Sequence, residues 1–481
     1  MTAANGNGRL QLRAVVLYGA MLAGAVGLFL LIDTVGKGLV APQPAAPGAP
    51  EEAPVGGKPD ALIHVLVALA AVLITGRLLG VLFRYLGQPP VIGEVVGGIL
   101  LGPSLLGQVW PEAAEFVLPP SVAPYLAVIA QLGVILYMFL VGLELNPGLL
   151  RERARATVAI SHASITVPFL LGAALALVLY PRLSSSDVSF TSFALFLGVA
   201  TSITAFPVLA RILTDRRMQT TRLGVIALGC AATDDVTAWC LLAFVVGVAQ
   251  AKVGGALLVL ALTLAYIGFM VVVVRPLARR FLGQFDEASL TPGVVAVVFA
   301  ALLLSALATE AVGIHAIFGA FLLGAVIPHD STLARDFTHK LEDLVTVLLL
   351  PAFFAFTGMR TRIGLASGAE QWLLCGLIIA VATLGKFGGT LAAARLTGLG
   401  WRDAAALGLL MNTRGLMELI ALNIGLDMKI ISPALFAMMV LMALVTTMAT
   451  TPLLHLIAPV AAKEWNTGDA DGTDYHGSDL R

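Results

Sequence analysis

The chain has 481 residues, of which 58% are hydrophobic and 12% charged, and its mean hydropathy is +0.94. A soluble globular protein carries roughly 25% charged residues, so this composition indicates a polytopic helical membrane protein. A net charge of zero, from 29 basic and 29 acidic side chains, gives nucleic-acid binding no electrostatic support, and the three cysteines, Cys230, Cys240 and Cys375, lie in apolar runs without metal-ligand spacing.

About fourteen apolar segments follow one another along the chain. Continuous runs of about 20 residues are the length of membrane-spanning helices and exclude a β-barrel reading. The first covers about 13–32, behind Arg9 and Arg13. A basic start before an apolar stretch also describes a signal peptide, but this run is longer than such a segment needs, so a retained anchor helix is expected. Residues 33–60 include Ala41-Pro-Gln-Pro-Ala-Ala-Pro-Gly-Ala-Pro50 and read as a linker. The organisation expected is therefore an N-terminal helix and Pro/Ala-rich linker over 1–60, a membrane domain over 61–458 and a short cytoplasmic tail over 459–481.

The membrane domain divides into segments at about 61–84, 90–107, 123–143, 156–180, 189–213, 223–249, 255–274, 292–309, 313–328, 343–359, 371–395, 402–424 and 431–458. Short cytoplasmic loops carry an excess of Lys and Arg. Arg151, Arg153 and Arg155 mark one such loop, Arg211, Arg216, Arg217 and Arg222 a second, and Arg275, Arg279 and Arg280 a third. These agree in parity and place both termini in the cytoplasm, whereas Arg360 and Arg362 fall on the outer side against the rule. Segments 156–180, 189–213 and 223–249 form a triplet that recurs, inverted, as 371–395, 402–424 and 431–458. Inverted repeats with interrupted helices at the midplane are a recurring transporter plan. The fold expected is all-α, with about 13 core transmembrane helices plus one N-terminal helix and two crossing broken helices.

Both triplets carry polar interruptions in their middle helix. Ala200-Thr-Ser-Ile-Thr-Ala-Phe-Pro207 supplies Thr201, Ser202 and Thr204, and Met411-Asn-Thr-Arg-Gly-Leu-Met-Glu418 supplies Asn412, Thr413, Arg414 and Glu418. Backbone freed from a helix at membrane depth persists only where it faces protein or a water-filled cavity. In the third segment of the first triplet, 223–249, lie Asp234 and Asp235, adjacent in an apolar run. A carboxylate at bilayer depth costs at least a few kcal/mol, so a pair of them points to cation binding, proton carriage, or both in turn. Lys386, at mid-helix in 371–395, needs a partner or loses its proton, and the comparable buried acids are Asp234, Asp235, Glu418 and Glu310. It is either a switch with which ions compete or a static counter-ion. Arg414 and Glu418 are four apart and can pair with each other or line the path. His64, His162 and His315 stand singly, and Glu94 sits in a Gly-rich helix as a gate or a helix-end charge. There is no Walker loop and no dinucleotide fingerprint, so no ATP drive, no cofactor and no enzymatic activity are expected.

Several stretches together resemble the monovalent cation:proton antiporter superfamily, most closely its second branch, which includes potassium efflux systems and plant cation/proton exchangers. They are Pro90-Val-Ile-Gly-Glu-Val-Val-Gly-Gly-Ile-Leu-Leu-Gly-Pro-Ser-Leu-Leu-Gly107, Phe139-Leu-Val-Gly-Leu-Glu-Leu145, Ala200–Leu213, Gly313–Gly324, Leu350–Gly358 and Asn412–Leu419. The resemblance implies a core domain with crossing broken helices, a separate dimerisation domain, homodimers in the cytoplasmic membrane and elevator-like alternating access. It implies that Asp235 binds monovalent cation or proton in turn, and that Asp234 pairs with Lys386. Members with Asp at the position of Asp234 are electrogenic sodium/proton antiporters, electroneutral ones commonly carry Asn, and potassium efflux systems carry Gln. The flanks thus resemble one type and the centre another, leaving Na⁺ or K⁺ open. The nucleotide-binding domain of gated efflux systems does not follow, so gating of that kind is not expected.

Independently of family, Thr201, Ser202, Thr204 and loosened carbonyls would supply the oxygen ligands a hard cation prefers. The expected function is exchange of Na⁺ or K⁺ for H⁺, with competition at Asp235. A sodium-coupled organic-anion symporter and a cation channel are the alternatives from other classes.

Overall fold

The computed structural model describes residues 3–43, 60–144, 154–218, 221–250, 256–282, 291–328, 331–365 and 368–457. Much of the Pro/Ala-rich linker, Arg151 and Arg153, and the tail from 458 onward lie outside them.

The regular elements among the described residues are all helices, without strands. In chain order the helices are α1 (Ala3–Gly36), α2 (Asp60–Tyr85), α3 (Pro90–Leu101), the short α4 (Leu106–Val109) and α5 (Pro111–Val117), α6 (Ala123–Glu144) and α7 (Ala154–Leu183). They continue as α8 (Phe190–Ser202), α9 (Phe206–Asp215), α10 (Arg222–Gln250), α11 (Ala256–Phe269), α12 (Arg275–Leu282), α13 (Pro292–Val312) and α14 (Ala316–Val326). The last are α15 (Thr332–Asp343), α16 (Leu350–Arg360), α17 (Ala369–Leu396), α18 (Trp401–Met411), α19 (Leu416–Asp427) and α20 (Pro433–Ile457). Single π turns at Met270–Val274 and Leu344–Leu349 join α11 to α12 and α15 to α16.

Among the described residues, 11 helices are long and apolar enough to cross a membrane, or 12 with the bent pair α18–α19. The short apolar α8 and α14 occupy the remaining segments expected from sequence. Length alone undercounts here because the segment expected at 189–213 is divided between α8, of 13 residues, and α9, of 10, and because α14 is only 11 residues long.

Two bundles emerge from the packing. In one, α2 packs on α3, α3 on α16, α16 on α6, and α6 on α14, which packs in turn on α13. In the other, α7 packs on α8, α10 and α17, while α18, α19 and α20 close around them. The second bundle holds both triplets of the inverted repeat, with the first helix of each, α7 and α17, side by side. The scaffold bundle is held by close backbone approach. A Cβ on Gly98 of α3 would lie 2.8 Å from Ala355 Cα and 2.9 Å from Phe354 C of α16. Small residues that let helices touch are how bundles pack where lipid removes the hydrophobic drive between helices.

The N-terminal helix α1 lies against the core bundle. Phe29 packs on Phe169 of α7 with ring centroids 5.8 Å apart, and Thr191 of α8 donates to Asp33 at 2.6 Å. Asp33 also pairs with Lys37 at 2.6 Å.

Candidate ion-binding site

The middle helix of each triplet is interrupted, and the two interruptions touch. The first lies at Ile203–Ala205, between α8 and α9, and the second at Asn412–Gly415, between α18 and α19. Pro207 does not make the first break itself. It occupies the first turn of α9, where a missing N–H is no loss. The Ala205 N–H donates to Thr413 O at 3.0 Å, and Thr204 Oγ1 donates to Met411 O at 3.1 Å. Backbone groups that a continuous helix would satisfy internally are thus exchanged between the two breaks, as the absence of water in lipid demands.

The carbonyl end of α8 carries partial negative charge, and two buried cations neutralise it. Arg414 donates to Ala200 O at 3.1 Å and to Thr201 O at 2.8 Å. Lys386, from α17, donates to Ser202 O at 2.6 Å and to Ser164 O at 3.0 Å. Thr447 of α20 fixes the second break by accepting from Arg414 N and donating to Arg414 O, both at 2.8 Å.

Each cation also has a carboxylate. Lys386 Nζ lies 2.9 Å from Asp234 Oδ2, with both side chains fully buried. Arg414 Nη1 lies 3.0 Å from Glu418 Oε2, also fully buried. Asp234 is further satisfied by three hydroxyls: Ser161 Oγ at 2.6 Å, Ser164 Oγ at 2.7 Å and Thr204 Oγ1 at 3.0 Å. Asp235, one residue on, is 4% exposed. It faces the Phe206 backbone N–H at the start of α9, while its Oδ1 has no hydrogen-bond partner.

The charge count at the crossing is therefore uneven. Two cations, Lys386 and Arg414, are matched by Asp234 and Glu418, and Asp235 is the third carboxylate. A buried charge without a counter-charge is strongly disfavoured. A carboxylate in that position can be neutralised by one proton or by one monovalent cation. Four unpartnered buried atoms belong to residues of this crossing. Among the described residues, Asp235 Oδ1, Asn412 Oδ1, Glu418 Oε1 and Arg414 Nε all lack partners. Such atoms are rare in a settled interior, and three of them are oxygens suited to a hard cation.

The residues expected from sequence separate by position. Asp234, Asp235, Thr204, Lys386, Asn412, Thr413, Arg414 and Glu418 are all buried on the elements that meet at the crossing. Thr201 and Ser202 are buried there too, but their hydroxyls turn to backbone. Thr201 Oγ1 donates to Pro168 O, Leu197 O and Gly198 O at 3.0, 2.9 and 3.0 Å. Ser202 Oγ donates to Ile165 O and Gly198 O at 3.0 and 2.7 Å. It is their carbonyls that face the site. Thr413 Oγ1 donates to Leu410 O at 2.8 Å, within its own helix end.

Ser161 and Ser164 escaped the sequence reading, although two hydroxyls three apart in the apolar run of α7 were a usable signal. Glu310 lies elsewhere and accepts from Ala316 N at 2.8 Å, at the start of α14. Glu94 sits across from Gly76 of α2. His64 Nδ1 contacts Phe116 O and His162 Nδ1 contacts Val158 O, while buried His315 Nδ1 has no partner.

The sodium/hydrogen exchanger transmembrane family matches residues 67–456. The Na⁺/H⁺ antiporter NhaS4 of Synechocystis is 43% identical over 406 residues, 84% of this chain and 99% of that protein. K⁺/H⁺ antiporter 1 of Saccharomyces cerevisiae is 33% identical over 429 residues, 85% of this chain but only 48% of that protein. The sodium proton antiporter MjNhaP1 of Methanocaldococcus jannaschii, solved at pH 8, shares the fold with a TM-score of 0.62 at 16% identity, over 84% of this chain and 100% of that one. The chain belongs to the sodium/hydrogen exchanger family of multi-pass membrane proteins.

Proposed function

We propose that the protein is a secondary antiporter that exchanges a monovalent cation, Na⁺ or K⁺, for H⁺ by alternating access. The observation that carries this reading is the unmatched carboxylate of Asp235, buried beside two buried ion pairs. A site with one negative charge in excess accepts one proton or one cation, and cannot cross the membrane empty without the cost of an uncompensated charge. That cost couples the two fluxes. The names of the relatives, a Na⁺/H⁺ antiporter and a K⁺/H⁺ antiporter, support the exchange and leave the cation between those two.

The division into two bundles supports movement of the α7–α10 and α17–α20 core against the α2–α6 and α13–α16 scaffold. In this reading the scaffold is the part that pairs two copies into a homodimer, in the cytoplasmic membrane. Asp234 and Lys386 form a pair that opens when cation or proton arrives, and Thr201, Ser202 and Asn412 contribute carbonyl or amide oxygens to the cation. No resident cofactor or resident metal enters the mechanism, and no chemical transformation is catalysed.

The test is proton movement in proteoliposomes holding the purified protein, with Na⁺, K⁺ and Li⁺ added in turn. A cation-triggered proton flux that vanishes in a folded Asp235→Asn protein is the expected result. Retained flux in that variant would remove Asp235 from the mechanism, and no flux with any cation would refute antiport.

A further inference from the structure

A second cluster of charge lies away from the ion site, on the side that the basic loops assign to the cytoplasm. There a cavity of about 590 Å³ opens between the two bundles. Its scaffold wall is the α2–α3 turn, with Arg84 and Gln88, and its core wall is the ends of α9 and α20, with Arg211, Arg216, Arg217 and His455. Basic loops are normal on the cytoplasmic face, and exposed arginines alone would say nothing more. Arg216 is different because it is only 9% exposed. Its Nη2 donates to Thr451 O at 2.7 Å, while its Nη1 is buried without a partner. A buried guanidinium arm without an acceptor costs more than an ordinary unmade hydrogen bond, and Arg216 lines a cavity that three further arginines share.

We propose that this cleft binds a phosphate-bearing anion, and that the bound anion ties the scaffold to the core. Guanidinium groups recognise phosphate oxygens through paired, charge-assisted hydrogen bonds. Arg216 supplies a fixed donor at the cavity wall, and the exposed Arg84 and Arg217 approach from opposite bundles. A link between the walls already exists where Gln88 Nε2 donates to Met448 O at 3.1 Å. The phosphate comes either from an anionic lipid headgroup at the membrane surface or from a soluble cytoplasmic anion. The same chemistry serves both, and movement of the core past the scaffold would require breaking the bridge in either case.

The experiment measures thermal unfolding of the full-length protein in two settings. In phosphatidylcholine nanodiscs, choline phosphate is titrated against choline chloride at equal ionic strength, so that no transportable cation is added. In parallel, phosphatidylglycerol replaces part of the phosphatidylcholine. A rise in Tm with phosphate identifies a soluble anion, and a rise only with phosphatidylglycerol identifies a headgroup. In either case the double variant Arg84→Gln, Arg217→Gln, whose side chains are exposed, loses the effect or needs about tenfold more ligand to reach it. Arg216→Gln is the second variant and behaves alike. Absence of any rise in both settings, or an equal rise in wild type and in Arg84→Gln, Arg217→Gln, overturns the proposal.

Discussion

Separating the Lys386–Asp234 pair tests whether the ion site rests on a buried charge balance. Removing one partner of a buried ion pair leaves the other uncompensated and costs about 3–5 kcal/mol. The two halves of this pair differ in what remains. Lys386→Gln leaves Asp234 with three hydroxyl donors, from Ser161, Ser164 and Thr204 at 2.6, 2.7 and 3.0 Å. The expected loss is therefore at the lower end, about 3 kcal/mol. Asp234→Asn leaves the Lys386 ammonium with the carbonyls of Ser202 and Ser164 at 2.6 and 3.0 Å, and no carboxylate in contact. That loss falls higher, at about 4 kcal/mol. The double variant contains neither unmatched charge, so the two losses are not additive. A cycle of the four proteins, unfolded at equilibrium in mixed micelles, should give a coupling of about 2–3 kcal/mol. Losses that add to within about 0.5 kcal/mol would show that the contact is not an energetic pair.

Two other substitutions probe the crossing and the scaffold. Arg414→Lys keeps the charge but loses the planar fork that reaches Ala200 O, Thr201 O and Glu418 together. A loss of about 2–4 kcal/mol in stability and exchange at a tenth of wild type or less is expected in unfolding and flux assays. In the scaffold, Gly98→Ala would drive a methyl to 2.8 Å from Ala355 Cα. Overpacking of this kind costs about 1–3 kcal/mol, read as lost Tm and lost yield. Gly376→Ala, where an added Cβ meets nothing within 4 Å, should change neither.

Much of the architecture was legible because lipid forces each crossing to declare itself as a long apolar run. All fourteen expected segments fall on helices or helix pairs, and both interrupted helices are broken where hydroxyls, Asn412 and Gly415 enter them. Charged residues inside such runs are costly enough to stand out, which is why Asp234, Asp235, Lys386, Arg414 and Glu418 could be named together. Their partners were less legible. The Arg414–Glu418 pair is local, four residues apart, and follows from helix geometry. The Asp234–Lys386 contact spans 152 positions, and no periodicity encodes it. The serines of α7 were missed because a hydroxyl in a membrane helix more often bonds its own backbone, as Thr201 and Ser202 do here. The exposed basic side chains of Arg84 and Arg217 carry a general topological signal, so only the folded chain shows that they share one cavity with the buried Arg216.

The most direct test of the central claim is the pH dependence of the cation KM, measured from proton flux in proteoliposomes. If cation and proton compete for the single unmatched carboxylate of Asp235, the apparent KM rises as pH falls, by up to about tenfold per pH unit, while the maximal rate at saturating cation is unchanged. A KM independent of pH, with the maximal rate falling instead, would mean that the proton is carried by another group and would contradict the account.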